Sequence, residues 1–197
     1  MKDTKKLVTC ALLIAIIVIM SLTPLGYLKI GALSITFLTI PVMIGAILVG
    51  PLAGAILGFA FGMTSFFLGG SALVLYIISI NPVLAFITCV VTRTLMGWLC
   101  GLIFKGLKKA KPNSFLPFVI SALSAPVLNT ILFMSTLLLC FFNPIVERYP
   151  ELYTKAGSNV IVFVALFVGI NALVEAVACT VVGSGISKAV YKNFKAE

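Results

Sequence analysis

Histidine is absent from all 197 residues. That removes Ser-His-Asp and Cys-His catalysis and any imidazole metal or proton site. Acidic residues are almost as scarce, five against fourteen Lys and Arg. So few carboxylates leave no acidic cluster of the kind metal-dependent membrane transferases need. The five cysteines are scattered singly through apolar stretches, with no C-x-x-C pair, so neither a zinc site nor a disulfide framework follows. No phosphate-cradling glycine loop is present. The chain carries no visible means of hydrolysing ATP and no sign of being an enzyme, of needing a cofactor or of holding a metal.

Charge is the other shortage. Charged residues make up 10% of the chain and hydrophobic ones 61%, against about 25% charged in a soluble domain. An all-α integral membrane protein is expected, a single membrane domain over residues 1–197. Six spans are predicted, at about 7–23, 35–49, 52–68, 82–104, 115–142 and 159–191. The first is long for a secretory signal, and no small-x-small cleavage site precedes Pro24. Pro24–Ser34, Lys105–Ser114 and Asn143–Ser158 read as loops; Gly69–Ile80 reads as a connection, partly helical.

The net charge of +9 could suggest nucleic acid, but the lysines cluster at span ends. With six spans, Lys2, Lys5, Lys6, the four lysines of Lys105–Lys111, Lys188, Lys192 and Lys195 fall on one side. Lys29, Arg148 and Lys155 fall on the other. Ten against three predicts that both termini are cytoplasmic.

Within the apolar spans a few polar residues stand out. Arg93 lies deep in the fourth, where a guanidinium costs on the order of 2.5–3.5 kcal/mol to insert. Gly97 and Gly101 share its helical face. Asn129 lies in the fifth span; Asn171 and Glu175 lie four apart in the sixth. Asn81 opens the fourth, and Thr64 ends the third with a hydroxyl. Unpaired polar groups are expensive in hydrocarbon, so these residues are expected to converge. Two readings stay open: a buried Arg93–Glu175 ion pair, or a ligand site in which Arg93 receives an anion. Asn81 also suits a helix cap, Asn129 a bond to a neighbouring helix. Tyr27, Tyr76, Tyr149 and Tyr153 read as interfacial anchors. Gly50, Gly54, Gly58 and Gly62 form a stripe for close helix packing, and Ala11 and Ala15 a small-x-x-x-small pair.

The whole resembles the substrate-binding S component of energy-coupling factor (ECF) vitamin transporters, and within them the pantothenate-type branch. The resemblance rests on GYLKIGALSITFLTIPVMIGAILVGPLAGAILGFAFGMTSF (Gly26–Phe66), INPVLAFITCVVTRTLMGWLCG from Ile80, LNTILFM (Leu128–Met134), INALVEA (Ile170–Ala176) and Ala11-x-x-x-Ala15. It implies a multi-pass subunit of a prokaryotic plasma membrane that captures a vitamin from outside. A transmembrane coupling subunit, docked at Ala11 and Ala15, and two cytoplasmic ATPases would drive release inside. For pantothenate, Arg93 would take the carboxylate, and Asn81, Asn129 and Asn171 the hydroxyls and amide. Glu175 would accept from a hydroxyl or hold Arg93, and Thr64 would line the site. The first loop would close over the ligand. Rival readings are an S component for riboflavin or a pyridoxine- or thiamin-related compound, a solitary proton-coupled transporter with Glu175 as carrier, and a structural membrane protein.

Overall fold

A computed structural model describes residues 2–24, 26–30, 33–157 and 159–196. The fold is almost wholly helical. Helix α1 (Lys2–Ser21) leads into two short strands, β1 (Tyr27–Ile30) and β2 (Leu33–Thr36), then α2 (Thr39–Leu48), α3 (Pro51–Leu68) and α4 (Ala72–Ile80). Helix α5 (Pro82–Phe86) passes through a π-helical turn (Ile87–Val91) into α6 (Thr92–Ala110). Helices α7 (Leu116–Arg148), α8 (Pro150–Lys155) and α9 (Val160–Ala178) follow. A second π-helical turn (Cys179–Gly183) leads into α10 (Ser184–Ala196).

Among the described residues, five stretches are long and apolar enough to cross a membrane: Thr4–Ser21, Pro51–Leu68, Pro82–Ala110, Leu116–Arg148 and Asn171–Lys192. Their outer faces are apolar and exposed, as at Leu52, Leu139 and Val181. Such a surface suits hydrocarbon, and the chain is a membrane protein.

The predicted second span, 35–49, is not one helix. Its start is β2, and its remainder is α2, only ten residues. Ten residues reach about 15 Å, half a hydrocarbon core of about 30 Å. Every residue of α2 except Ile40 is buried. It forms the axis of the bundle, with Val42 and Met43 packed among Leu13, Leu57, Phe61 and Met96.

Other boundaries move as well. The loop expected over Pro24–Ser34 is an antiparallel hairpin, Tyr27 opposite Thr36 and Leu28 opposite Ile35; residues 25, 31 and 32 lie outside the described part. Both strands alternate in polarity, which suits a pleat with one face inward. Thr64 does not end α3, whose C-cap is Gly69 in the left-handed region at φ +61°. The basic stretch after Phe104 stays helical to Ala110, and α7 runs on to Arg148 with a kink at Phe141. The polar segment after it holds α8. The predicted last span breaks at Gly169, φ +32°.

The closest packing is α3 against α6. A Cβ on Gly54 would run into the Gly97 carbonyl, and one on Gly58 into the Arg93 carbonyl. One on Gly62 would come within 2.6 Å of Val90 Cα. The stripe therefore lets the α3 backbone lie directly on the turns that carry Arg93.

Candidate functional site

One polar cavity opens under the hairpin, between the last turns of α3, the start of α6, the middle of α7 and the second half of α9. It measures about 70 Å³. Arg93, Asn129, Asn171 and Glu175 all line it. The hairpin contributes Tyr27, Ser34 and Thr36 from one face, α3 contributes Ser65, and the α3–α4 connection contributes Gly70 and Ser71. Thr130, Phe133 and Met134 complete the α7 wall.

Arg93 follows the first π-helical turn by two residues. A π turn shifts the helix phase by about one residue, a device often found at functional positions. Arg93 as a whole is only 6% exposed. Nη1 donates to the Cys89 carbonyl inside that turn, at 2.9 Å. The group lies between two rings, 4.6 Å from the Phe61 centroid and 4.9 Å from that of Phe133. Ring faces partly compensate a buried cation. Nε has no partner.

Glu175 is not that partner. Its Oε1 accepts from the Thr36 backbone N–H at 2.7 Å, so the carboxylate holds β2 against α9. The buried Arg93–Glu175 ion pair left open by the sequence is absent: among the described residues no carboxylate lies within salt-bridge distance of Arg93.

Six buried side-chain atoms among the described residues lack a hydrogen bond. Four of them border this one cavity: Arg93 Nε, Asn129 Oδ1, Ser65 Oγ and the Tyr27 hydroxyl. Buried polar groups without partners are rare in folded proteins, and four around one space point to a ligand. The set combines a cationic donor, an amide acceptor and two hydroxyls. The Tyr27 hydroxyl lies near Ser65 and Thr64 without hydrogen-bond geometry to either. Burial raises the pKa of this phenol, the nearby guanidinium opposing the shift, so the ring stays neutral and able to donate.

Two sequence-predicted residues are placed elsewhere. Asn81 is a helix cap: its Oδ1 accepts from the N–H groups of Val83 and Leu84, each at 3.1 Å. Thr64 returns its hydroxyl to the Phe61 carbonyl at 2.9 Å and does not line the cavity; its neighbour Ser65 does. Tyr27, expected as an interfacial anchor, is turned inward, its ring against Gly70. Ala11 and Ala15 lie far from this site, exposed on the outer face of α1 beside Leu12 and Ile19.

Apolar spans closed around a small polar cavity define an integral membrane protein that binds a solute. The chain belongs to the family described as ECF transporter, substrate-specific component, whose model matches residues 5–187. It is the substrate-binding subunit of an ECF transporter, and the family associates with ECF membrane and ATPase modules. No curated protein matches the chain.

Proposed function

We propose that this subunit captures pantothenate, a small vitamin with one carboxylate, two hydroxyls and an amide. Arg93 takes the carboxylate through charge-assisted hydrogen bonds. Asn129 and Asn171 serve the hydroxyls and amide, and Glu175 holds the hairpin closed over them. The observation that carries this reading is the Arg93 guanidinium, buried between Phe61 and Phe133 with Nε unpartnered and no carboxylate bonded to it. A cation held this way is matched by a ligand that brings its own negative charge. The free Asn129 Oδ1 adds an acceptor for a hydroxyl or amide N–H. Neutral and cationic vitamins make less use of Arg93.

In this reading the domain crosses a prokaryotic plasma membrane six times, α2 serving as a short second crossing. Both termini face the cytoplasm, and the vitamin enters from outside under the hairpin. The exposed strip of α1 around Ala11 and Ala15 docks the transmembrane coupling subunit, and two cytoplasmic ATPases power release. The strip is apolar, small at those two positions, and solvent-facing in the isolated chain, which supports such a role.

Native mass spectrometry of the purified protein, followed by calorimetry with pantothenate, tests the ligand. The expected result is one pantothenate bound per chain. A co-purified riboflavin, pyridoxine or thiamin compound, with no pantothenate heat, overturns the assignment. A reporter active only in the cytoplasm, fused to the C-terminus, checks the orientation; silence would reverse it.

A further inference from the structure

A second cavity, of about 440 Å³, lies at the opposite, lysine-rich end of the bundle. Its floor is the turn between α2 and α3, and one wall is a single face of α6. On that face Phe104, Lys105, Lys108 and Lys109 recur at helical spacing. Val49 and Tyr191 close the other sides. The deeper lining is apolar and the rim is cationic. Lys105 and Lys109 are exposed, while Lys108 lays its stem inward. The Lys108 Nζ is 5.1 Å from the Phe118 ring centroid and 5.3 Å from that of Tyr191, and it donates to the Pro112 carbonyl. No carboxylate lines the cavity among the described residues. Glu147 lies in the last turn of α7 and Glu151 in α8, both away from this cavity, and Glu175 borders the polar cavity.

We propose that this cavity is a binding site for a phosphate-bearing anion, and that its occupant is the headgroup of an acidic phospholipid. Three cations on one helix face supply the charge for a phosphodiester. The apolar depth is of no use to a free inorganic anion, but it accepts the glycerol and upper acyl carbons of a lipid. The position suits this as well. The lysines occupy the last turns of a membrane-crossing helix, Pro82–Ala110, where hydrocarbon gives way to headgroups. Basic pockets between membrane helices select acidic headgroups, and lysine stems reach such a surface by lying along apolar walls. A lipid held here would brace the α2–α3 turn against α6 and α10.

The test uses the full chain in detergent, with phosphatidylglycerol and phosphatidylcholine added in equal amounts and retention read by native mass spectrometry. One phosphatidylglycerol per chain is expected to stay bound in preference to phosphatidylcholine. Replacing the three rim lysines together (Lys105→Gln, Lys108→Gln, Lys109→Gln) should reduce its retention at least about tenfold, since each cation near an acidic headgroup contributes on the order of fivefold. The pair Lys111→Gln and Lys192→Gln, outside the cavity, should keep it. Val49→Trp fills the cavity without touching any charge and should lose the lipid too; a diffuse electrostatic attraction would not respond to it. Equal retention across all variants, or no preference for phosphatidylglycerol, overturns the proposal. A parallel titration follows acylation of the lysines. Protection by inorganic phosphate equal to that by phosphatidylglycerol would make this a soluble-anion site and remove the lipid. Protection that appears only with the coupling module bound would make it a protein-docking surface, and the lipid assignment would fall.

Discussion

Arg93 is surrounded by groups that restrain it but do not neutralise it: a backbone carbonyl of its own helix and two aromatic faces. Removing the guanidinium should therefore cost the ligand its counter-charge. Arg93→Ala is expected to weaken pantothenate binding by about 2–5 kcal/mol in calorimetry. Arg93→Lys should recover only part, because a single ammonium cannot form two parallel bonds to a carboxylate. Glu175 belongs to the hairpin instead. Glu175→Ala removes a charge-assisted bond to the Thr36 N–H, worth about 1.5–3 kcal/mol. It should speed ligand dissociation by roughly tenfold or more, read by displacement of labelled pantothenate. The residues that sequence could pick out were those whose burial is costly enough to be conspicuous. Arg93, Asn129, Asn171 and Glu175 stand out against hydrocarbon, and all four line the cavity. Ser65, Ser71 and Thr130 do too, but a hydroxyl in a helix can bond its own preceding turn, as Thr64 does, and one ahead of a helix can cap it, as Ser71 does. It therefore carries no signal. Asn81 was as conspicuous as the others and is occupied by its cap.

The elements around the site depend on backbone features with weak sequence signatures. The glycine stripe on α3 was legible as close packing; what it packs against was not. Its partners are the carbonyls of Arg93 and Gly97, so α3 fixes the height and phase of the cation. Gly58→Leu should push α6 away and lower both thermal stability, by about 1–3 kcal/mol, and pantothenate affinity. A thermal-shift series with and without ligand separates the two effects. The π-helical turn ahead of Arg93 has no proline or glycine to announce it, since Ile87–Val91 reads as ordinary apolar helix. The hairpin was missed for a related reason. Leu33–Thr36 flows into apolar residues that continue as α2, and only the pairing with Tyr27–Ile30 reveals where strand ends and helix begins. Gly169 could have marked the break in α9, yet isolated glycines are common in membrane helices.

At the scale of the whole molecule, two ends do different work. The lysine-rich end holds the second cavity, and the hairpin end holds the polar one. Between them α1 runs with most of its surface uncovered. Ala11→Trp with Ala15→Trp should leave pantothenate binding to the isolated subunit unchanged and abolish uptake by the assembled transporter. Loss of binding as well would place those alanines inside the fold rather than at a junction. The helical membrane class was plain from composition, because few other folds can satisfy so apolar a chain. A bundle built around a helix half the usual length was not, since α2 and its flanking strand together have the length of a full span.

The polar cavity, at about 70 Å³, is far smaller than the roughly 300–1,000 Å³ of pockets that hold drug-sized molecules. Tyr27 against Gly70 and Thr36 against Glu175 fasten its roof on two sides. In the proposed reading, cargo of pantothenate's size is admitted only after one of those fastenings slips. Capture then contains a step with its own clock, whatever the supply outside. In a stopped-flow experiment the observed rate should climb with pantothenate at low concentration and then level off at the speed of the doorway.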